Sequence, residues 1–232
     1  MAISTDLQVL ARTTGAAQAS DGQPVPVRAD RSGIPFTATW KQSLLLEGRC
    51  FTAPFAAMGA TDIVSLTTGL NLDQPDFCIS VPNGTSIIPL KIVMDGQYDC
   101  DADADDAFFI VMVDVDSAYA DDGTVTAVTP EPCITGSGLT SVCNVFEDAS
   151  GDITATTGSD PVVTKVCLDV VQHQVGVATG PGHLRLDYEP DVPMILDGPC
   201  AIYGYGGGST DPPKWAGYAI WAEVPETRYK IS

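Results

Sequence analysis

The stretch Asp99-Cys100-Asp101-Ala102-Asp103-Ala104-Asp105-Asp106 places five aspartates within eight residues. Hard cations such as Ca²⁺ take several carboxylate oxygens at about 2.3–2.6 Å, and alternate aspartates in a loop can supply them. Asp101, Asp103 and Asp105 are therefore the candidate metal ligands, and Ca²⁺ is the one candidate cofactor. The EF-hand pattern is not met, because the sixth position counted from Asp101 is Asp106 and the twelfth is Met112. Without a cation the same run reads as a solvated acidic loop between two strands.

Other chemistry has less to work with. The two histidines, His173 and His183, form neither H-x-x-x-H nor H-E-x-x-H, and no G-x-S-x-G elbow is present. Gly204-Tyr205-Gly206-Gly207-Gly208 lacks the following Lys-Ser/Thr of a phosphate-binding loop and sits between strand-like runs. No catalytic residue is expected, and the chain reads as a non-enzyme. Four aromatic residues near the end, Tyr203, Tyr205, Trp215 and Trp221, are candidate binding residues that could stack on a sugar. Packing in a core or a subunit interface is the competing expectation for them.

Seven cysteines stand at 50, 78, 100, 133, 143, 167 and 200, with no Cys-x-x-Cys. Most lie in apolar strand-like runs, where a thiol packs as a small hydrophobe. Cys133 and Cys143 flank a Gly/Ser/Thr loop and are the pair expected to form a disulfide, if one forms.

Charge narrows the partners. Thirty acidic residues against 11 basic ones give a formal charge of −19. Nucleic-acid binding rests on Lys and Arg neutralising phosphates, so no direct sequence-specific nucleic-acid partner is expected. Residues 1–40 carry Arg12, Arg28 and Arg31 against three aspartates, so the rest of the chain holds the acidic excess. Residues 1–36, dominated by Ala, Thr, Gly and Gln with an extended Pro24-Val25-Pro26-Val27, read as an extended N-terminal assembly arm. With Arg12, Arg28 and Arg31 in the one segment without acidic excess, the arm is expected to point inward or toward neighbours and the acidic loops at 99–106 and 114–122 outward. No run approaches the ~20 apolar residues of a membrane span, and Met1 to Asp6 does not resemble a signal peptide. A soluble protein made in the cytoplasm is expected.

Elements that would position these residues are short and extended. Strand-like runs occupy 45–53, 62–68, 76–81, 87–95, 107–116, 123–128, 139–146, 162–172, 182–188, 199–205 and 216–224, divided by turns such as Pro82-Asn83-Gly84-Thr85. No amphipathic helix longer than about two turns follows residue 40. The pattern predicts an all-β sandwich over residues 37–232, closed by a hairpin of 199–205 with 216–224.

Three segments carry a family resemblance: Leu45-Leu46-Glu47-Gly48-Arg49-Cys50-Phe51, Val81-Pro82-Asn83-Gly84-Thr85-Ser86-Ile87-Ile88-Pro89-Leu90, and Gly217-Tyr218-Ala219-Ile220-Trp221-Ala222-Glu223-Val224-Pro225. Over roughly residues 40–225 the chain resembles the small single jelly-roll virion proteins of double-stranded DNA bacteriophages and archaeal viruses. The resemblance implies a jelly-roll sandwich of two antiparallel sheets with extra strands and an N-terminal arm. It further implies a capsid or capsid-decorating role in the virion, without catalysis, in a homo-oligomer (trimer or pentamer) with other virion proteins as partners. A receptor- or carbohydrate-binding fibre head built on the same sandwich is the alternative.

Overall fold

Alternation of apolar and polar side chains decides which face each strand buries. A computed structural model describes residues 39–56, 63–64, 75–100, 106–115, 126–147, 165–174, 180–208 and 214–225. The first element is a helix, α1 (Trp40–Leu46), followed by strands β1 (Cys50–Phe55), β2 (Ile63–Val64), β3 (Phe77–Val81) and β4 (Thr85–Cys100). Next come β5 (Asp106–Asp114), β6 (Thr126–Val128), β7 (Glu131–Pro132), β8 (Asn144–Glu147) and β9 (Lys165–Gln174). The chain continues through β10 (Gly180–Tyr188), β11 (Leu196–Asp197), β12 (Cys200–Gly208) and β13 (Lys214–Pro225).

These strands form two antiparallel sheets. Sheet one runs β10-β4-β13-β1-β7, with β11 also on β4 and β2 on β13. Sheet two runs β6-β8-β3-β12-β5-β9. Inward side chains of both sheets share one core, which is the energetic reason for the sandwich. From β5 it takes Ala107, Phe109, Val111 and Val113, and from β10 Leu184, Leu186 and Tyr188. At its centre the Phe55 and Phe77 rings stack with centroids 4.2 Å apart. Trp215 meets Phe55, Phe77 and Phe109 edge-on at 6.4, 6.0 and 5.9 Å. Gly204 makes room for the Phe77 ring, since a Cβ there would stand 1.8 Å from Cε1. The buried Asp76 carboxylate ties the two sheets together, accepting from the Gly206 amide of β12 at 2.7 Å and from Trp215 Nε1 of β13 at 3.1 Å.

An extra residue in β4 re-aims that strand. The β4–β13 register shifts between Ile220, opposite Lys91, and Trp221, opposite Pro89, so Leu90 is the bulged residue. Before it, Ile88 and Leu90 join an outer cluster with Cys50, Ala222, Val224 and Leu44 of α1. After it, Ile92 and Met94 face the main core. The outer face of sheet one is thus apolar where α1 covers it and polar beyond.

Several expectations from the sequence need correction. The runs at 199–205 and 216–224 do not form a hairpin: β12 pairs with β3 and β5 in sheet two, while β13 pairs with β1 and β4 in sheet one. Two strands joined by a Gly/Pro-rich loop have the same sequence signature whether they pair or cross between sheets. The start of the 45–53 run is helical, because Thr39 and Gln42 cap α1 reciprocally. The end of α1 is fixed by Gly48 at φ +73°, where the Gly48 and Arg49 amides close on the Leu45 and Leu44 carbonyls. Residues 139–143 are loop rather than strand. Asp114, expected in an outward loop, ends β5 and is buried at 3% exposure. Cys133 and Cys143 are free thiols held apart, Cys133 against the outer cluster of sheet one and Cys143 in the main core, just before β8 of sheet two.

Candidate functional site

The residues singled out from the sequence are not gathered in one place. Tyr203 and Tyr205 are buried on the outer face of sheet two with Cys78 and Ala201, at 2% and 1% exposure. Trp215 and Trp221 are buried in the main core, each at 1%. None of the four offers a ring face to a sugar. Alternation explains the split: Cys200 and Ile202 of β12 point into the sandwich, so Ala201, Tyr203 and Tyr205 point away from it. Asp101, Asp103 and Asp105 of the calcium candidate lie outside the described residues, as do Arg12, Arg28 and Arg31 of the arm. Among the described residues, no group of three His, Cys, Asp or Glu side chains is placed to hold a metal ion.

Two surface features on sheet one stand out instead. The first is a corner where α1, the 133–143 loop and the end of β13 meet. Here α1 buries only Leu44 and leaves Trp40, Leu45 and Leu46 exposed. Gly48 ends the helix, and Leu139 of the loop lies over it, with Cδ1 2.7 Å from where a Gly48 Cβ would be. The loop is held by Glu223, whose carboxylate accepts from Ser141 Oγ, from the Val142 amide at 3.1 Å and from Trp221 Nε1 at 3.1 Å. The Glu223 amide in turn donates to the Arg49 carbonyl at 2.9 Å. A loop fixed in this way still presents Leu139 and Val142 at 48% and 53% exposure. Anchored backbone with apolar side chains outward suits contact with another protein surface.

The second feature is a ladder of charges on β4 and β10, continuing to α1. His183 Nε2 lies 2.6 Å from Asp95, which also takes Arg185 at 2.9 Å. Arg185 reaches Asp187 at 3.0 Å, Lys91 bridges Asp187 and Glu189 at 3.2 and 2.9 Å, and Lys41 of α1 meets Glu189 at 3.5 Å. Hydrogen bonding from Arg185 holds the Asp187 carboxyl below its usual range, and hydrogen bonding from Lys91 does the same for Glu189. Charges along an edge strand such as β10 discourage it from pairing with another sheet. At the opposite edge β7 is two residues long and contains Pro132, which limits pairing by another means.

The apolar corner could have been sought in the sequence through Thr39-x-x-Gln42 and the Gly48 stop, which define a helix with three apolar side chains to spare. The clamp by Glu223 had no sequence signal, since it joins residues some eighty positions apart. No family model, curated protein or solved structure matches the chain.

Proposed function

We propose that this chain is a non-enzymatic structural subunit of a virus particle, a jelly-roll capsid or capsid-decorating protein that assembles with copies of itself. One observation carries the reading, the order of the eight principal strands. In chain order β1, β3, β4, β5, β9, β10, β12 and β13 are strands one to eight. Sheet one then contains six-three-eight-one, and sheet two contains two-seven-four-five. First pairs last, second pairs seventh, third pairs sixth and fourth pairs fifth. The remaining contacts, eight with three and seven with four, are those made when such a ribbon is rolled into two sheets. This wrap supports the jelly-roll reading, and β2, β6, β7, β8 and β11 are additions at its margins.

Jelly rolls serve as capsid subunits, as lectins and as metal-centred cupins. The lectin reading loses its platform, because Tyr203, Tyr205, Trp215 and Trp221 are buried. His183 stands on the exterior of the sandwich, paired with Asp95, and gives a cupin centre no support. The capsid reading draws support from the anchored apolar corner, for which the proposed occupant is a second copy of the chain. In sheet one both edges are protected, which favours association on that side through such side-chain surfaces over strand addition.

Light scattering on the full chain after size exclusion tests the assembly. A closed oligomer, trimer or pentamer, is expected. Leu139→Asp with Val142→Asp should shift it toward monomer while the far-ultraviolet circular dichroism stays that of a β protein. A monomer at every concentration would overturn the reading, and an unchanged oligomer in the double variant would remove the corner from it.

A further inference from the structure

We propose that Cys50 and Cys133 form an oxidative cross-linking site, at which a disulfide ties the edge strand β7 to β1. Strand register places them together. Phe51 stands opposite Pro132 and Thr52 opposite Glu131, so the next pair outward is Cys50 with Cys133. The Cys133 amide donates to the Cys50 carbonyl at 2.9 Å, which continues the ladder through that pair. Directly opposed, hydrogen-bonded residues of an antiparallel pair have Cα atoms about 5.5 Å apart. Disulfides span Cα separations of about 4.4–6.8 Å. Side chains of opposed residues share a face, and both thiols pack in the outer cluster under α1.

Among the described strand pairings, no other cysteine is registered opposite a cysteine. Cys200 stands opposite Val81, and the Ser80–Asn144 pairing continues to Val81 beside Cys143. Cys143 and Cys200 thus flank β3, two strand spacings or roughly 9.6 Å apart, beyond the ~7 Å limit for a bridge. Cys78 lies between Tyr203 and Phe146, and Cys167 lies opposite Met112. The proposal stands on strand register and is independent of the virion reading.

A low-molecular-weight disulfide such as oxidised glutathione supplies the oxidant. Cys133 is the more exposed of the two, so its thiolate attacks one sulfur of that disulfide and expels one glutathione thiolate. The Cys50 thiolate then attacks the Cys133 sulfur of the mixed disulfide and expels the second. Two cysteine thiols lose two electrons and two protons, and one glutathione disulfide becomes two thiols. Burial, reinforced by Cys133, pushes the Cys50 thiol up to about 12, and burial also raises Cys133. Neutral thiols react slowly at pH 7, and high-pKa thiols are poor leaving groups once joined. The bond is therefore slow to form, slow to reduce, and structural in character rather than a fast switch.

Glutathione redox buffer applied to the folded full chain, followed by peptide mapping with the thiols blocked, tests this. A Cys167→Ser background removes the exposed Cys167 thiol, which would otherwise take up glutathione itself. The expected result is one internal bridge joining the peptides of Cys50 and Cys133, with the thiol titre lower by two. Its rate should rise about tenfold per pH unit while the thiols remain mostly neutral. Cys133→Ser should abolish the bridge, and Cys143→Ser should leave it. Native peptide maps in which Cys50 and Cys133 stay reduced, or pair with other cysteines, would overturn the proposal, whether or not the serine variants fold.

Discussion

Leu139 lies across Gly48, with its Cδ1 2.7 Å from the position a Cβ on that glycine would occupy. Gly48 also has φ +73°, a conformation that costs a side-chain-bearing residue about 1–2 kcal/mol. Gly48→Ala should therefore lower stability by about that amount and displace Leu139, whose flexible end can yield. Urea unfolding checks this as a lower midpoint at unchanged slope. The same variant should weaken self-association, since it disturbs the apolar corner.

Gly204 presents a harder case. A Cβ there would stand 1.8 Å from Phe77, whose ring is stacked on Phe55 at 4.2 Å and enclosed by Trp215. Nothing flexible can move aside, so Gly204→Ala should cost about 3 kcal/mol, the upper part of the range for overpacked cores. Gly84 is the control, because its Cβ would meet nothing within 4 Å. At φ +84° it should show only the backbone penalty, about 1–2 kcal/mol. Equal losses at the two positions would mean that Phe77 is not fixed as described.

Glu223 holds the 141–142 loop to β13 by accepting from Ser141 Oγ and the Val142 amide, and it also accepts from Trp221 Nε1 of its own strand. Hydrogen bonds to a charged group contribute about 1.5–3 kcal/mol. Glu223→Ala should lose roughly that much, because the buried Trp221 Nε1 is left without this acceptor. Hydrogen exchange should rise at the Val142 amide while the amides of β5 and β12 stay protected. Retained protection at Val142 would show that the loop is held by other contacts.

The charge ladder gives acid sensitivity with a definite sign. Asp187 and Glu189 titrate below their ordinary values of 3.8 and 4.5, Asp187 chiefly through Arg185 and Glu189 chiefly through Lys91. A carboxylate whose folded-state pKa is lowered contributes stability above its unfolded value and loses it as pH falls through the folded value. The contribution should be intact at pH 7 and should fade below about pH 4. Because these groups are exposed, added salt should reduce it. Denaturant melts at pH 7 and pH 3 should show a smaller acid-induced loss in Lys91→Ala than in the parent chain. An identical loss in both would remove the ladder from the acid response.

How much of this could be read from the residues alone depended on range. Alternation along His183-Leu184-Arg185-Leu186-Asp187 marks that strand and its inward face, because a side chain's face follows from local parity. The continuously apolar Ala107 to Val113 marks a strand without saying which face enters the main core. Sheet membership is a long-range property. The Gly-rich β12 and the Trp-bearing β13 look like hairpin partners, yet they lie in different sheets, since each finds its buried neighbours in strands far away in sequence. The aromatic residues were misleading as binding candidates for the same reason: large rings mark a core and a binding face alike until the opposite strand is known. Cys50 and Cys133 are likewise brought together by the β1–β7 register, which spacing does not reveal.

Quantitative mass spectrometry of purified virus particles that encode this chain tests the central claim most directly. A structural subunit should be present in many copies per particle, in proportion to the shell or its decoration. Absence of the chain from the particles, or its presence in only a few copies, would contradict the capsid reading.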